Sequence, residues 1–322
     1  MVLRRAALAH AALAFAGSVT GAHAFPERPL RAVIPYGVGG SADVLARIIA
    51  PGISANLGQS LVIDNRGGGA GLPAFTLVAK AQADGYTLLI SASNLASNPI
   101  LFRKLPYDSE KDFAPVSLIA VVPAVLVVHP SVAVKSANDL IALARAKPGV
   151  LNYGSVGNGS GNQLVTEMFA NAAGLQLSHV PYKSAGAFMI DLMSGRLNFV
   201  FATIPAAYGS ITSGRVRALA VSSLKRSSTL PDIPTIAESA LPGFEVNTWL
   251  GAFVPHGTPA SAINRLNGAI VDAVQKPEVR ERMKTVGGEP VGSSPAHMAT
   301  YLKAELTRWS KLAKTVKFEV SN

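Results

Sequence analysis

The sequence predicts an α/β protein made of two strand–helix units followed by a helical tail. Three observations carry this. Short apolar runs alternate with amphipathic stretches of helical period along the first 225 residues. One plan, an apolar strand running through a Gly/Ser turn into a helix, occurs once in each half, as LRAVIPYGVGGSADVLARIIA and GVLNYGSVGNGSGNQLVTEMFA. The chain has 322 residues and is 49% hydrophobic, enough for two ordinary cores.

The first residues read as a secretory leader: MVLRR is basic, the next stretch is apolar, and Ala22-His23-Ala24 is a small-residue cleavage pattern. Residues 1–24 are therefore expected to be removed, with Phe25 as the mature N-terminus and export as the destination. The apolar run is shorter than the ~20 residues a bilayer span needs.

Beyond the leader, strands are expected at 30–35, 60–64 and 86–90, with helices at 43–57 and 74–83 between them. This alternation implies a parallel sheet with right-handed crossovers. Pro51-Gly52 is expected to kink or break the first helix. The second unit reads as strands at 125–130, 151–154, 177–182, 197–202 and 216–223, with helices at 137–146, 162–173 and 186–194. One further strand, 248–254, precedes long helices that run through Lys314. Pro123 and the proline-rich stretch 230–242 mark the expected crossings between units.

Several chemistries are excluded or weakened. With Arg4 and Arg5 in the leader, 27 basic residues face 19 acidic ones, a net of +8. No Lys/Arg run exceeds two residues, so the charge reads as a field favouring anionic solutes and not as a nucleic-acid surface. There is no cysteine, and His129, His179, His256 and His297 lack metal-ligand spacing. No G-x-S-x-G elbow occurs. The stretch Gly37 to Ala42 does fit the dinucleotide fingerprint, with Asp64 placed as a ribose-binding acid. The export signal, the bulky Pro35-Tyr36 before the turn, and a second glycine turn after Asp64 weigh against a nucleotide-dependent oxidoreductase. Two strand–helix turns, one per unit, can instead face each other across a cleft and grip an anion with helix N-termini.

The segments FPERPLRAVIPYGVGGSADVLAR, VIDNRGGGAG, ADGYTLLI, KLPYDSEKDFAPVSLIA, AKPGVLNYGSVGNGSGNQL, HVPYKSAG, RVRALAVSSLKRSSTLPDIPTIAESALPGFE and PHGTP resemble the Bug family, receptors of tripartite tricarboxylate transporters. The resemblance covers nearly all of 25–314. It implies a two-lobed periplasmic-binding-protein (Venus flytrap) fold of α/β class, with a cleft between lobes that closes by a hinge, no catalysis and no cofactor. The implied division is a leader at 1–24, lobe 1 at 25–124, lobe 2 at 125–245, and a return to lobe 1 with C-terminal helices at 246–322. The implied ligand is a small organic carboxylate, and the implied partner is a membrane transporter of the tripartite type or, alternatively, a sensor protein. A monomer in the periplasm is expected. The first loop implied to hold the ligand is Tyr36, Gly37, Val38, Gly39, Gly40 and Ser41; its counterpart is Ser155, Gly157, Asn158, Gly159 and Ser160. Ser91, Ser93 and Asn94 are expected to border the same cleft. Ala202 is expected there too, where relatives often carry Asp. With Val156, it suggests a ligand without an ammonium group. Ser41 is expected to cap the first helix.

Overall fold

The computed structural model describes residues 25–315. Two mixed sheets organise it. The first is ordered β11-β4-β10-β3-β1-β2 and the second β7-β6-β8-β5-β9. In chain order the first unit contributes β1 (Leu30–Ile34), α1 (Ser41–Leu57), β2 (Leu61–Asn65), α2 (Leu72–Ala79), β3 (Thr87–Ser91), α3 (Asn94–Leu101) and β4 (Phe113–Val122). The second sheet's elements are β5 (Ala124–Val128), α4 (Ala137–Ala146), β6 (Asn152–Ser155), α5 (Gly161–Ala173), β7 (Ser178–Pro181), α6 (Ala185–Met193), β8 (Phe199–Thr203), α7 (Ile204–Thr212), β9 (Arg217–Val221) and the short α8 (Ile236–Ser239). The chain then returns to the first sheet with β10 (Thr248–Pro255) and β11 (Glu289–Pro290) and adds α9 (Ala260–Gln275), α10 (Pro277–Thr285) and α11 (Pro295–Leu312). This is a two-lobed α/β fold. The leader call, 1–24, lies outside the described residues.

The strand–helix–strand units pair in parallel: β1 with β2 and β3, and β6 with β7 and β8. The sheets are not parallel throughout. β10 runs antiparallel to both β3 and β4, and β5 antiparallel to both β8 and β9. These two strands sit at the crossings, where the chain enters each sheet from the other. Only Pro123 separates β4 in one sheet from β5 in the other. Such a break is cheap for proline, which has no N–H to lose from a ladder.

β4 escapes the periodicity reading for a physical reason. Pro115 and the fully buried Ser117 interrupt its apolar run. The register shifts between Ala252 and Phe253, opposite this stretch, and such an irregularity accommodates a proline. Ser117 Oγ donates to the Ser293 carbonyl at 2.9 Å, which satisfies the hydroxyl in the core.

Pro51 does not break α1, which runs unbroken to Leu57. The lost hydrogen bond costs around 3 kcal/mol. Against it stand Leu45, Ile49, Ile53 and Leu57, all buried, at about 1.5–3 kcal/mol each. Gly52 lets the helix approach α9 closely, since a Cβ there would lie 2.9 Å from the Ala273 Cβ. α11 is tied to the first sheet by Trp249, whose indole N–H donates to the buried Glu305 carboxylate at 3.0 Å. Burial raises the Glu305 pKa, partly offset by Arg308 and by this bond.

Candidate functional site

A cavity of about 790 Å³ opens where the loops after the strands of both sheets meet. It is lined by the N-terminal ends of helices from both units. These are Gly40 and Ser41 (α1), Gly71 (the cap of α2), Ser93 and Asn94 (α3), Ser160 and Gly161 (α5), Ser184 and Ala185 (α6), and Thr203 (the cap of α7). Each such end carries free N–H groups and roughly half a positive charge.

The two echoing turns are built alike. In α1 the third helical residue, Asp43, reaches back so that its Oδ2 accepts from the Gly39 amide at 2.8 Å. In α5 the third helical residue, Gln163, does the same for the Gly159 amide at 2.7 Å. Ser160 caps α5, its Oγ accepting from the Gln163 amide. Gly40, not Ser41, occupies the cap position of α1, so Ser41 is the first helical residue and caps nothing. The first turn is braced from behind. Arg47 donates to Asp43 at 2.8 Å and to the Asn65 side-chain oxygen at 2.9 Å, and Asn65 donates to the Tyr36 carbonyl at 3.2 Å. The glycine turn after β2 presses on the same loop: a Cβ on Gly67 would fall 2.8 Å from the Gly37 nitrogen. A proline, with its ring, would not fit there.

Tyr36 reaches from the first turn to α3. Its hydroxyl donates to Asn94 Oδ1 at 3.1 Å and accepts from the Ala92 amide at 3.3 Å. Burial pushes this phenol up to about 12, with hydrogen bonds from Ser91, Ala92 and Asn94 working against the shift, so it is neutral at physiological pH. Ser93, at the cap of α3, is 1% exposed, and its hydroxyl has no hydrogen-bond partner. A buried hydroxyl without a partner costs about 1–3 kcal/mol, and here it lines a cavity. The second turn meets α3 directly: Ser97 Oγ donates to the Gly159 carbonyl at 3.1 Å.

Of the expected site residues, Tyr36, Gly37, Val38, Gly39, Gly40, Ser41, Ser93, Asn94, Gly157, Asn158 and Ser160 line the cavity. Four do not. Ser91 is fully buried at the end of β3. Ser155 is fully buried and supports the second turn from behind: its Oγ lies 2.7 Å from His179 Nε2 and accepts from the Gly157 amide at 3.1 Å. Gly159, with φ +74°, is packed under α3, where a Cβ would meet Leu101 at 2.1 Å. Ala202, in β8, pairs with Val125 of β5 and is fully buried in the apolar core, away from the cavity lining. The structure therefore gives Ala202 no direct contact with the cavity.

The lining residues that the sequence reading omits include Lys183, Ser184, Thr203, Thr248 and Ala70. A signal for two of them exists: HVPYKSAG is a third strand–cap–helix junction, with Ser184 accepting from the Ala187 amide. No Asp or Glu stands among the described residues that line the cavity, and Lys183 is their single charged side chain. Asp64, the acid a dinucleotide fold would aim at a ribose, is elsewhere. Arg31 and Arg66 donate to it at 2.8 and 3.0 Å, and although burial would raise its pKa, these bonds hold it below the usual carboxylate range. No group of acidic, histidine or cysteine side chains among the described residues could hold a metal ion.

The family model of the tripartite tricarboxylate transporter family receptor matches residues 45–318. The chain is 36% identical over 295 residues to protein BugT of Bordetella pertussis, covering 91% of this chain and 90% of that one. Among solved structures it resembles Rpa4515 of R. palustris with adipate, at 39% identity and a TM-score of 0.82, over 91% of this chain and 99% of that one. It also resembles MatC of Rhodopseudomonas palustris with bound malate, at 30% identity and a TM-score of 0.79, over 89% and 99% of the two chains. The chain belongs to the tripartite tricarboxylate transporter receptor family, the Bug family. It is a periplasmic solute-binding receptor and not an enzyme. Among the described residues no helix is long and apolar enough to cross a membrane.

Proposed function

From this family membership and the cleft's make-up, we propose that the receptor closes its two lobes on a small organic carboxylate. It then delivers the carboxylate to the membrane subunits of a tripartite tricarboxylate-type transporter. Residues 1–24 act as its export signal, and the mature receptor works as a monomer. The observation that carries the ligand class is the lining itself: helix N-termini from both lobes, one unpaired lysine and no acidic side chain. Such a surface favours an anion and leaves an ammonium group without a counter-charge. Hinge closure is the usual motion of such two-lobed receptors. The adipate and malate held by the two related structures are of the same chemical class.

A thermal-shift screen of residues 25–322 against mono-, di- and tricarboxylates tests this. A ligand at 100 times its Kd adds ~2.7 kcal/mol. A shift by amino acids exceeding that of the matched plain acids would contradict the reading. Ser93→Ala separates folding from binding. Without ligand the variant should melt at or slightly above the wild-type temperature, since an unsatisfied hydroxyl is removed. Its affinity for the acid found in the screen should fall about ten- to a hundredfold, the value of roughly 1.5–3 kcal/mol for one hydrogen bond to a carboxylate.

A further inference from the structure

We infer that His179 is the positioning residue of the second turn, fixing the Gly157 and Gly159 amides through two side chains that it orients from behind. The inference rests on the reading of the cleft as a carboxylate site and adds which residue outside the lining gives that site its shape. His179 lies in β7 beside Tyr153 of β6, and the two rings stack with centroids 4.9 Å apart and planes at 23°. It does not line the cavity. Its two nitrogens reach the two supports of the turn. Nε2 is 2.7 Å from Ser155 Oγ, which accepts from the Gly157 amide at 3.1 Å. Nδ1 is 3.4 Å from Gln163 Nε2, and Oε1 of the same side chain accepts from the Gly159 amide at 2.7 Å. Ser155 and Gln163 are both buried, so the supports are shielded from solvent.

These bonds leave one consistent arrangement of protons. A backbone amide can only donate, so the Gly159 N–H fixes Oε1 as the side of Gln163 that faces the turn. The Gln163 NH2 group therefore faces Nδ1, which must accept, and the ring proton sits on Nε2 and is donated to Ser155. Ser155 then accepts from His179 and from Gly157, and its own proton goes to the Gly157 carbonyl at 3.1 Å. The Gln163 side chain also bonds the Tyr153 hydroxyl, which donates to Glu167. The first turn follows the same plan with charged groups: Arg47 orients Asp43, which holds Gly39, as His179 orients Gln163, which holds Gly159. Packing does not hold Gly157, whose φ is +105° and where a Cβ would meet nothing within 4 Å. Hydrogen bonds set where its amide points, and a binding group is only as well placed as the side chains that fix it.

The test compares wild type with His179→Phe, His179→Asn and His179→Gln. Phenylalanine keeps a ring stacked on Tyr153 and removes both nitrogens. Asparagine keeps an acceptor at the Nδ1 position for Gln163, and glutamine keeps a donor at the Nε2 position for Ser155. Two quantities are measured: the amide resonances of Gly157 and Gly159 without ligand, and affinities for succinate, malate and adipate by calorimetry. The phenylalanine variant should move both resonances. It should bind each acid that the wild type binds about tenfold weaker or more, the worth of one hydrogen bond to a charged group. The order of preference among the acids should not change, because His179 acts on the turn and not on the ligand. Asparagine should restore the Gly159 resonance and glutamine the Gly157 resonance, each with part of the affinity. Wild-type affinity and unmoved resonances in the phenylalanine variant would show that the ring only packs, and would overturn the inference. Should that variant not fold, the other two decide: identical glycine resonances in both would overturn it equally. If the wild type binds none of the three acids, the receptor reading fails, while the resonances still judge the role of His179.

Discussion

Ser41→Asp should weaken carboxylate binding ten- to a hundredfold and leave folding untouched. Ser41 is the first residue of α1 and lines the cavity, and its side chain makes no hydrogen bond with another described residue. The helix is capped by Gly40 and by Asp43 reaching back to the Gly39 amide, so neither depends on the Ser41 hydroxyl. An acidic residue in the first turn is mildly favourable to the helix itself. In the cleft, however, it sets a negative charge beside the place where an anion is proposed to sit. At ~4 Å and an effective dielectric of ~20 the repulsion is about 4 kcal/mol. Water in the open cleft reduces this to roughly 1.5–3 kcal/mol, the stated ten- to hundredfold. Ser41→Asn has the same shape without the charge and should bind far better than the Asp variant. Calorimetry on the two proteins, both with native melting temperatures, decides the matter; equal affinities would remove the first turn from the anion site.

Asp43→Ala should cost about 2–3 kcal/mol of stability and also weaken binding. Asp43 is 2% exposed and holds two donors at 2.8 Å, the Gly39 amide and Arg47 Nε. Hydrogen bonds to a charged group are worth about 1.5–3 kcal/mol each, and the exposed side of the pair is discounted for solvent. The melting temperature should fall by about 5 °C for a chain of this size. Because Arg47 also positions Asn65, and Asn65 the Tyr36 carbonyl, the turn itself loosens and its amides no longer converge. Removing a negative charge near the anion works in the opposite direction, but Arg47 already neutralises it. Asp43→Asn keeps an acceptor for Gly39 and should recover part of both losses. An affinity that rises in the alanine variant would show that the carboxylate opposes the ligand more than it orders the turn.

Much of this architecture is legible in the sequence. β1 with α1, and β6 with α5, are readable because a strand, a glycine turn and an amphipathic helix follow one another with unbroken apolar periodicity. The sequence interval 137–146 for α4 coincides with the helix observed, where Ser136 caps and Asp139 sits in the first turn. The order of strands within a sheet is not readable, because periodicity tells which face is buried but not which neighbour a strand takes. Hence the antiparallel β5 and β10 emerge only in three dimensions. α3 and α7 are hidden by prolines, Pro99 inside one and Pro205 at the start of the other. Both are tolerated, the first on an exposed face and the second in the first turn, where no hydrogen bond is lost.

Three of the four expected site residues that do not line the cavity share one cause. Ser91, Ser155 and Ala202 are buried, while the next residue in each case, Ala92, Val156 and Thr203, lines the cavity. Side chains alternate along a strand, and the cleft begins at its last residue or one beyond. A sequence places the strand end to within a residue or two, and that is the difference between core and cleft.

The central claim is that the cleft holds a carboxylate through its charge. The direct measurement is titration calorimetry of residues 25–322 with succinate, malate and adipate, each beside its neutral diamide. At least one acid should bind, with its diamide at least a hundredfold weaker, the worth of roughly 2.7 kcal/mol in charge-assisted hydrogen bonds. Equal affinities for an acid and its diamide, or binding of NAD with none of the acids, would contradict it.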